Sequence, residues 1–211
     1  MSAIIKNMQN IRNFKNSDTH CLAKMLGLEW DLAKRTTNAG CLCDWIYLAE
    51  ILAKNTKMLV LTNKEGHPVG FIGYSQYRSK RHMFRRIFWQ FVHFVLCLCI
   101  KNRAALRKYY DVYNYAPQNI EHMFDAQCDI LIVDKDYRGG AGRALFMALM
   151  QNATKDSIKK IRIDTDDSCN VDFYRHLGVK QVYCGAAKNG GEKNTKKVYV
   201  FCATPHKFVN S

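Results

Sequence analysis

Between Glu65 and Asp111 the sequence contains no acidic residue at all, although 18 Asp and Glu are present among its 211 residues. The same interval carries nine cations: Arg78, Lys80, Arg81, Arg85, Arg86, Lys101, Arg103, Arg107 and Lys108. They account for most of the formal net charge of +14. Such an excess calls for an anionic partner, whether cofactor phosphates, nucleic acid, a membrane surface or an acidic substrate. Proline is scarce, with three residues, which excludes a collagen-like or proline-rich linker protein. The 48% hydrophobic and 12% aromatic content excludes wholesale disorder. At this length a single domain over residues 1–211, large enough for a sizeable core, is expected.

Other absences narrow the class further. The first fourteen residues contain Lys6, Asn7, Asn10 and Arg12 where a secretory signal has its apolar core. The nine cysteines are odd in number, and Cys97, Cys99, Cys184 and Cys202 sit inside apolar runs. Reduced thiols in a cytoplasmic protein are therefore expected, not a disulfide framework. Cys41-x-Cys43 and Cys97-x-Cys99 are spaced too closely for zinc ligand pairs and have no matching second pair, so no metal is expected. The apolar run Ile87–Ile100 falls short of the roughly 20 residues needed to cross a bilayer.

What is present alternates between strand and helix patterns. Ile11–Phe14 predicts a short strand, and Ser17 and Asp18 offer an N-cap to a helix carrying Cys21, Leu22, Met25 and Leu26. Cys41–Ala53 predicts a second helix with Trp45, Leu48, Ala49 and Leu52 on one face. Met58–Thr62, the turn Asn63–Gly66 and Pro68–Tyr74 form a hairpin signature. Residues 78–122 interrupt this rhythm as a helical insertion. Within it His82, Arg86, Gln90 and His93 make a thin polar stripe on an otherwise apolar helix at 82–100. Such a helix must be buried in the protein, buried in a dimer or laid on a membrane.

The second half reads as α/β. Cys128–Val133 is a strand, Tyr137–Gly142 a tight loop, Arg143–Ala153 a helix and Lys160–Asp164 the next strand, beside the first if the crossover is right-handed. A short helix over Val171–Leu177 ends at Gly178, and Val179–Cys184 pairs with Lys197–Ala203. Three glycines within Gly139–Gly142 let backbone N–H groups approach a ligand, and the following helix aims its positive end at the same place. Arg138 and Arg143 add charge, so the loop suits a pyrophosphate; a tight turn with no ligand is the plain alternative. The Walker pattern and G-x-G-x-x-G are both absent, which demotes nucleotide triphosphate and dinucleotide readings.

Two ordered motifs carry a resemblance. The segment from Val133 to Leu145, and that from Asp166 through Asn170 and Phe173-Tyr174 to Gly178, resemble the central and later motifs of the GNAT superfamily of N-acetyltransferases. The basic insertion is similar to that of a bacterial branch. The likeness is loose over residues 57–77 and good over 127–203. It implies an α/β (α+β) fold: a mixed sheet of about six to seven strands with flanking helices and a helical insertion after the third strand.

The resemblance also implies acetyl-CoA as cosubstrate. Ile132 and Val133 would bond its pantetheine arm, while Arg138, Gly139, Gly140, Ala141, Gly142 and Arg143 would hold its pyrophosphate. Asn170 matches the motif asparagine, or is the N-cap of its own helix. The loop is one residue shorter than the family's, which leaves the individual phosphate donors open. Tyr174 matches the tyrosine that protonates the departing thiolate, a task within reach of a phenol. For a general base, Asp129 lies in an apolar neighbourhood on the strand before the loop, and period-2 alternation puts it on one face with Leu131 and Val133.

The expected activity is transfer of acetyl to a primary amine by direct attack in a ternary complex. The acceptor is a small molecule or a protein amine, and the positive surface disfavours a polycationic one unless Asp129, Asp134, Asp136 and Asp166 or Asp167 line the pocket. The alternative is a CoA-binding module whose helix at 82–100 meets an anionic membrane or a partner. For the insertion, an acceptor-pocket wall or a homodimer contact is favoured over peripheral membrane contact. No nucleic acid is expected, because the cations flank an apolar helix without interleaving exposed aromatics.

Overall fold

The computed structural model describes residues 10–30, 40–54, 56–77, 83–99, 118–167, 169–187 and 196–209. Among the described residues seven strands form one sheet in the order β1-β2-β3-β4-β5-β7-β6. They are β1 (Ile11–Asn13), β2 (Lys57–Thr62), β3 (Pro68–Gln76), β4 (Ala126–Val133), β5 (Ile161–Asp166), β6 (Lys180–Ala187) and β7 (Lys196–Ala203). Only β4 and β5 pair in parallel, as a βαβ crossover requires; the other neighbours are antiparallel.

Helices cover both faces of the sheet. The α1 helix (Thr19–Trp30) and α2 (Gly40–Ala53) lie on one face with Val60, Phe71, Ile130 and Ile132 beneath them. The opposite face is covered by α4 (Ala141–Lys155), whose Leu145, Phe146, Leu149 and Met150 are fully buried against Ile72, Ile161 and Phe201. The short helices α5 (Val171–His176) and α6 (Pro205–Val209) lie on this side, and α6 packs on α4. A further helix, α3 (Met83–Cys99), packs along α2.

The predicted hairpin and βαβ unit are present, with ends shifted by one or two residues. The first strand and helix are joined by the bidentate pair from Arg12 to the buried Asp18, at 2.7 and 2.8 Å. Asp18 also accepts from the Lys15 backbone N–H, so it faces back to the turn ahead of α1. In α2 the buried positions run nearly round the helix, from Ile46 to Leu52, not along the single stripe expected. Sheet, α1 and α3 each cover part of it, which removes the need for a polar face. The loop at 188–195 and most of the expected insertion at 78–122 lie outside the described residues.

Candidate functional site

The crossing from β4 to β5 creates the site. The two strands pair only over Ala126–Cys128 and Ile161–Ile163. Beyond that point β5 stays with β7 through Asp166, while β4 stays with β3 through Val133. The edges of the two strands therefore separate, leaving backbone groups of β4 without a partner strand. A cavity of about 950 Å³ fills the gap. Its walls include Asp129–Val133, Gly140, Gly142, Arg143, Asp164, Phe173 and Tyr174, together with Tyr47 and Glu50 of α2 and Lys54 just after it.

Separation begins at a β-bulge. Gly73 pairs with Ile130 and Tyr74 with Cys128, so Asp129 is the extra residue on β4. Alternation across the strand is reset there. Leu131 and Val133 pack on the α4 side, whereas Asp129 turns to the α2 side to meet Thr56 and Ser75. The expected shared face of Asp129 with Leu131 and Val133 is thereby corrected: a bulge inverts the period-2 parity.

At Asp129 the Ser75 hydroxyl donates to Oδ1 at 3.1 Å, and Thr56 Oγ1 lies 2.8 Å from Oδ2. The same Thr56 hydroxyl is 2.7 Å from the Ile51 carbonyl. It has one proton for two acceptors. When it donates to Ile51, a protonated Asp129 closes the remaining contact by donating to Thr56. Burial pushes the Asp129 carboxyl up to about 6, against the opposing pull of the Lys54 ammonium and the two hydroxyls. Burial also works against the Lys54 charge, but the carboxylates of Asp129, Glu50 and Asp164 outweigh it and lift its pKa. Asp164, next to the divergence point, is raised by burial and steadied by Arg162 Nε at 2.8 Å. Three carboxyl groups thus surround one ammonium at this end of the cavity.

The other end is the glycine loop. After β4 a single 3-10 turn, capped by Asp134 accepting from the Asp136 N–H, leads to Gly140. Gly140 is the N-cap of α4 with φ +91°, a left-handed conformation that glycine adopts without steric cost. The Ala144 N–H bonds back to the Gly140 carbonyl, so the N–H groups of Ala141, Gly142 and Arg143 precede the first helical bond and have no partner among the described residues. Phe173 packs against Gly142, where an added Cβ would lie 3.3 Å from its ring. Arg138 is held by Glu29 of α1 at 2.6 Å, an exposed pair of small net worth that an incoming phosphate can displace.

Tyr174 lines the same cavity. Its ring packs against Phe173 and Phe201 at centroid distances of 5.1 and 5.4 Å. The hydroxyl makes no hydrogen bond among the described residues, and burial raises its pKa well above the ordinary phenol value. It therefore keeps its proton. Asn170 caps α5, its side-chain oxygen accepting from the Phe173 N–H at 3.1 Å, so only its amide nitrogen is left for the cavity.

No family model matches the chain, and no curated protein matches it in sequence. Solved structures do. The GCN5-related N-acetyltransferase of Rhodopseudomonas palustris matches over 92% of this chain and 94% of its own, with a TM-score of 0.52 at 15% identity. The ribosomal-protein-alanine N-acetyltransferase of Brucella melitensis matches over 92% and 98%, with a TM-score of 0.52 at 14% identity. A Salmonella typhimurium protein described as an acetyltransferase, solved with its cofactor acetyl-CoA, matches over 92% of both chains, with a TM-score of 0.56 at 12% identity. This chain has the GNAT fold.

Within the GNAT fold, the cavity collects most of the residues singled out from sequence: Asp129, Ile132, Val133, Arg138, Gly140, Gly142, Arg143, Asn170 and Tyr174. Gly139 and Ala141 belong to the same loop but do not line it. Among the carboxylates offered for an acceptor, Asp129 and Asp166 line the cavity, whereas Asp134, Asp136 and Asp167 do not. Sequence reasoning missed Glu50, Lys54, Thr56 and Asp164. The only available signal was the polar edge formed by Tyr47 and Glu50 on α2 and Lys54 just after it, at helical spacing. Among the described residues none of α3 lines the cavity, and the rest of the insertion, on which the expected pocket wall also falls, lies largely outside the described residues.

Proposed function

We propose that the protein is an acetyl-CoA-dependent N-acetyltransferase acting on a primary amine. The single observation behind this is one cavity, along a strand edge left open where β4 and β5 diverge, that is lined by a glycine loop at a helix N-terminus, by Tyr174 and by a carboxylate cluster. The residues present suit acetyl-CoA. Free N–H groups at Ala141–Arg143, with the cations of Arg138 and Arg143, would hold the pyrophosphate. The unpaired β4 edge at Ile132 and Val133 would take the amides of the pantetheine arm as an added strand takes a ladder. When bound, acetyl-CoA supplies an acetyl thioester, activated for transfer to nitrogen.

The side chains then divide the proton chemistry. Tyr174 holds a proton at its hydroxyl for the sulfur as the carbon–sulfur bond breaks. Asp129 takes the proton that the amine nitrogen loses as its bond to the acetyl carbon forms, directly or through water. Backbone N–H near Val133 stabilises negative charge on the carbonyl oxygen. Glu50, Asp129 and Asp164 outnumber the cations of Lys54 and Arg162 at this end of the cavity, which favours a cationic acceptor carrying more than one amine.

The amine attacks directly, with no acyl-enzyme. Rapid-quench kinetics with radiolabelled acetyl-CoA are expected to show no protein-bound acetyl before product appears. A stoichiometric burst of acetyl-protein would overturn direct attack. The role of Asp129 has its own signature in pH. Its active form is the carboxylate, so the rate is expected to fall as pH drops through about 6 and to level off above. Asp129→Asn is expected to remove that acid limb and to lower the neutral-pH rate about tenfold or more. Because the folded state holds the neutral carboxyl preferentially, stability contributed by Asp129 is lost as pH rises from its ordinary range through about 6. The Asn variant is therefore expected to melt higher than the parent at neutral pH. Retention of the acid limb in the variant would remove Asp129 as the base.

A further inference from the structure

The exposed face of α3 lies outside the cleft and has no part in the chemistry above. On one side α3 packs against α2 and sets Trp89 against the core. On the other side Phe84, Ile87, Phe88, Phe91, Phe94 and Leu98 stand between 54% and 85% exposed. Steps of three and four residues put all six on one face of a 17-residue helix, about 25 Å long. The polar Arg86 and Gln90 fall at the border of that face, not within it. A contiguous apolar strip of this size is uncommon on a solvated surface and marks a contact.

Charge decides which contact. The nine cations of residues 78–108 lie in α3 or within nine residues of its ends, and no acidic residue occurs from 66 to 110. A second copy would meet this face through a two-fold axis, bringing one basic segment against another. An anionic bilayer satisfies both features at once. Apolar side chains enter the boundary between headgroups and acyl chains, and flanking Lys and Arg reach lipid phosphates. No helix among the described residues is long and apolar enough to cross a membrane, so the contact is in plane. We propose that α3 docks the protein on an anionic lipid bilayer, with the Phe84–Leu98 face at the headgroup boundary.

The geometry also orients the cleft. Helix α2 carries α3 on one side and presents Glu50, with Lys54 just after it, to the cavity on another, so a docked α3 places the cleft wall one helix away from the lipid.

The test is flotation of the full chain with vesicles of phosphatidylglycerol and phosphatidylcholine in equal parts, against vesicles of phosphatidylcholine alone. Sedimentation velocity without lipid is run beside it. Binding to the anionic vesicles is expected, weakened by salt and much reduced on the neutral ones. Ile87→Gln with Phe91→Gln, both exposed and compatible with a helix, is expected to lower partition about tenfold or more while leaving the circular dichroism unchanged. Lys101→Gln with Arg103→Gln tests the charge without touching the apolar face and is expected to weaken anionic binding alone. Absence of binding to anionic vesicles at low salt would overturn the proposal. So would a dimer that the Ile87/Phe91 pair dissociates, because the face would then belong to a second copy.

Discussion

Tyr174→Phe is expected to lower kcat about a hundredfold or more, with the acetyl-CoA dissociation constant within about threefold of the parent. The substitution deletes one oxygen and leaves the ring where Phe173 and Phe201 hold it, so packing around the cleft is unchanged. What is lost is the proton for the departing sulfur. Because burial raises the Tyr174 pKa, the parent is also expected to show no alkaline fall in rate attributable to this phenol near its ordinary value of about 10. Steady-state kinetics across pH, with calorimetric binding of acetyl-CoA to both proteins, check these statements together. An unchanged kcat would remove Tyr174 from the proton path. A kcat loss matched by a comparable loss of binding would make its role structural.

Gly140→Val is expected to weaken acetyl-CoA binding about tenfold or more. The cause is backbone conformation and not crowding, since an added Cβ at Gly140 meets nothing within 4 Å. With φ at +91° a β-branched residue is strained, and relief of that strain rotates the peptide that starts α4. The free N–H groups of Ala141–Arg143 then lose their common aim. Gly139→Ala is the matched control. That position also has open space for a Cβ but no positive φ, so binding within about twofold of the parent is expected. Equal binding by all three proteins would dissociate the loop from the cofactor. Equal losses in both variants would point to loop mobility as the operative property, not to the N–H geometry.

The contrast between Gly140 and Asp129 shows what could be read before folding. Strand, glycine loop and helix follow one another in sequence, so local chemistry was enough to place the loop. Its shortened form left the donors open until the left-handed N-cap at Gly140 set the helix start two residues ahead of the expected Arg143. Tyr174 was also legible, because its helix begins at its own cap, Asn170, and ends at Gly178 in the left-handed region. Asp129 was legible as a residue but not in direction. A bulge is a property of two strands, β3 and β4, and nothing in the β4 sequence announces it.

The carboxylate cluster was hidden for a related reason. Glu50, Lys54, Thr56, Ser75 and Asp164 come from four elements that only the sheet order brings together. The helix at 83–99 was expected from its periodicity, yet its apolar face proved to point away from the cleft, a fact set by how α2 is already covered.

Isothermal titration of the unmodified chain with acetyl-CoA tests the central claim most directly. The proposed function requires saturable binding at one equivalent, in the micromolar to millimolar range common for enzyme substrates, displaced by free CoA. Absence of binding through millimolar acetyl-CoA, with the protein folded by circular dichroism, would contradict it.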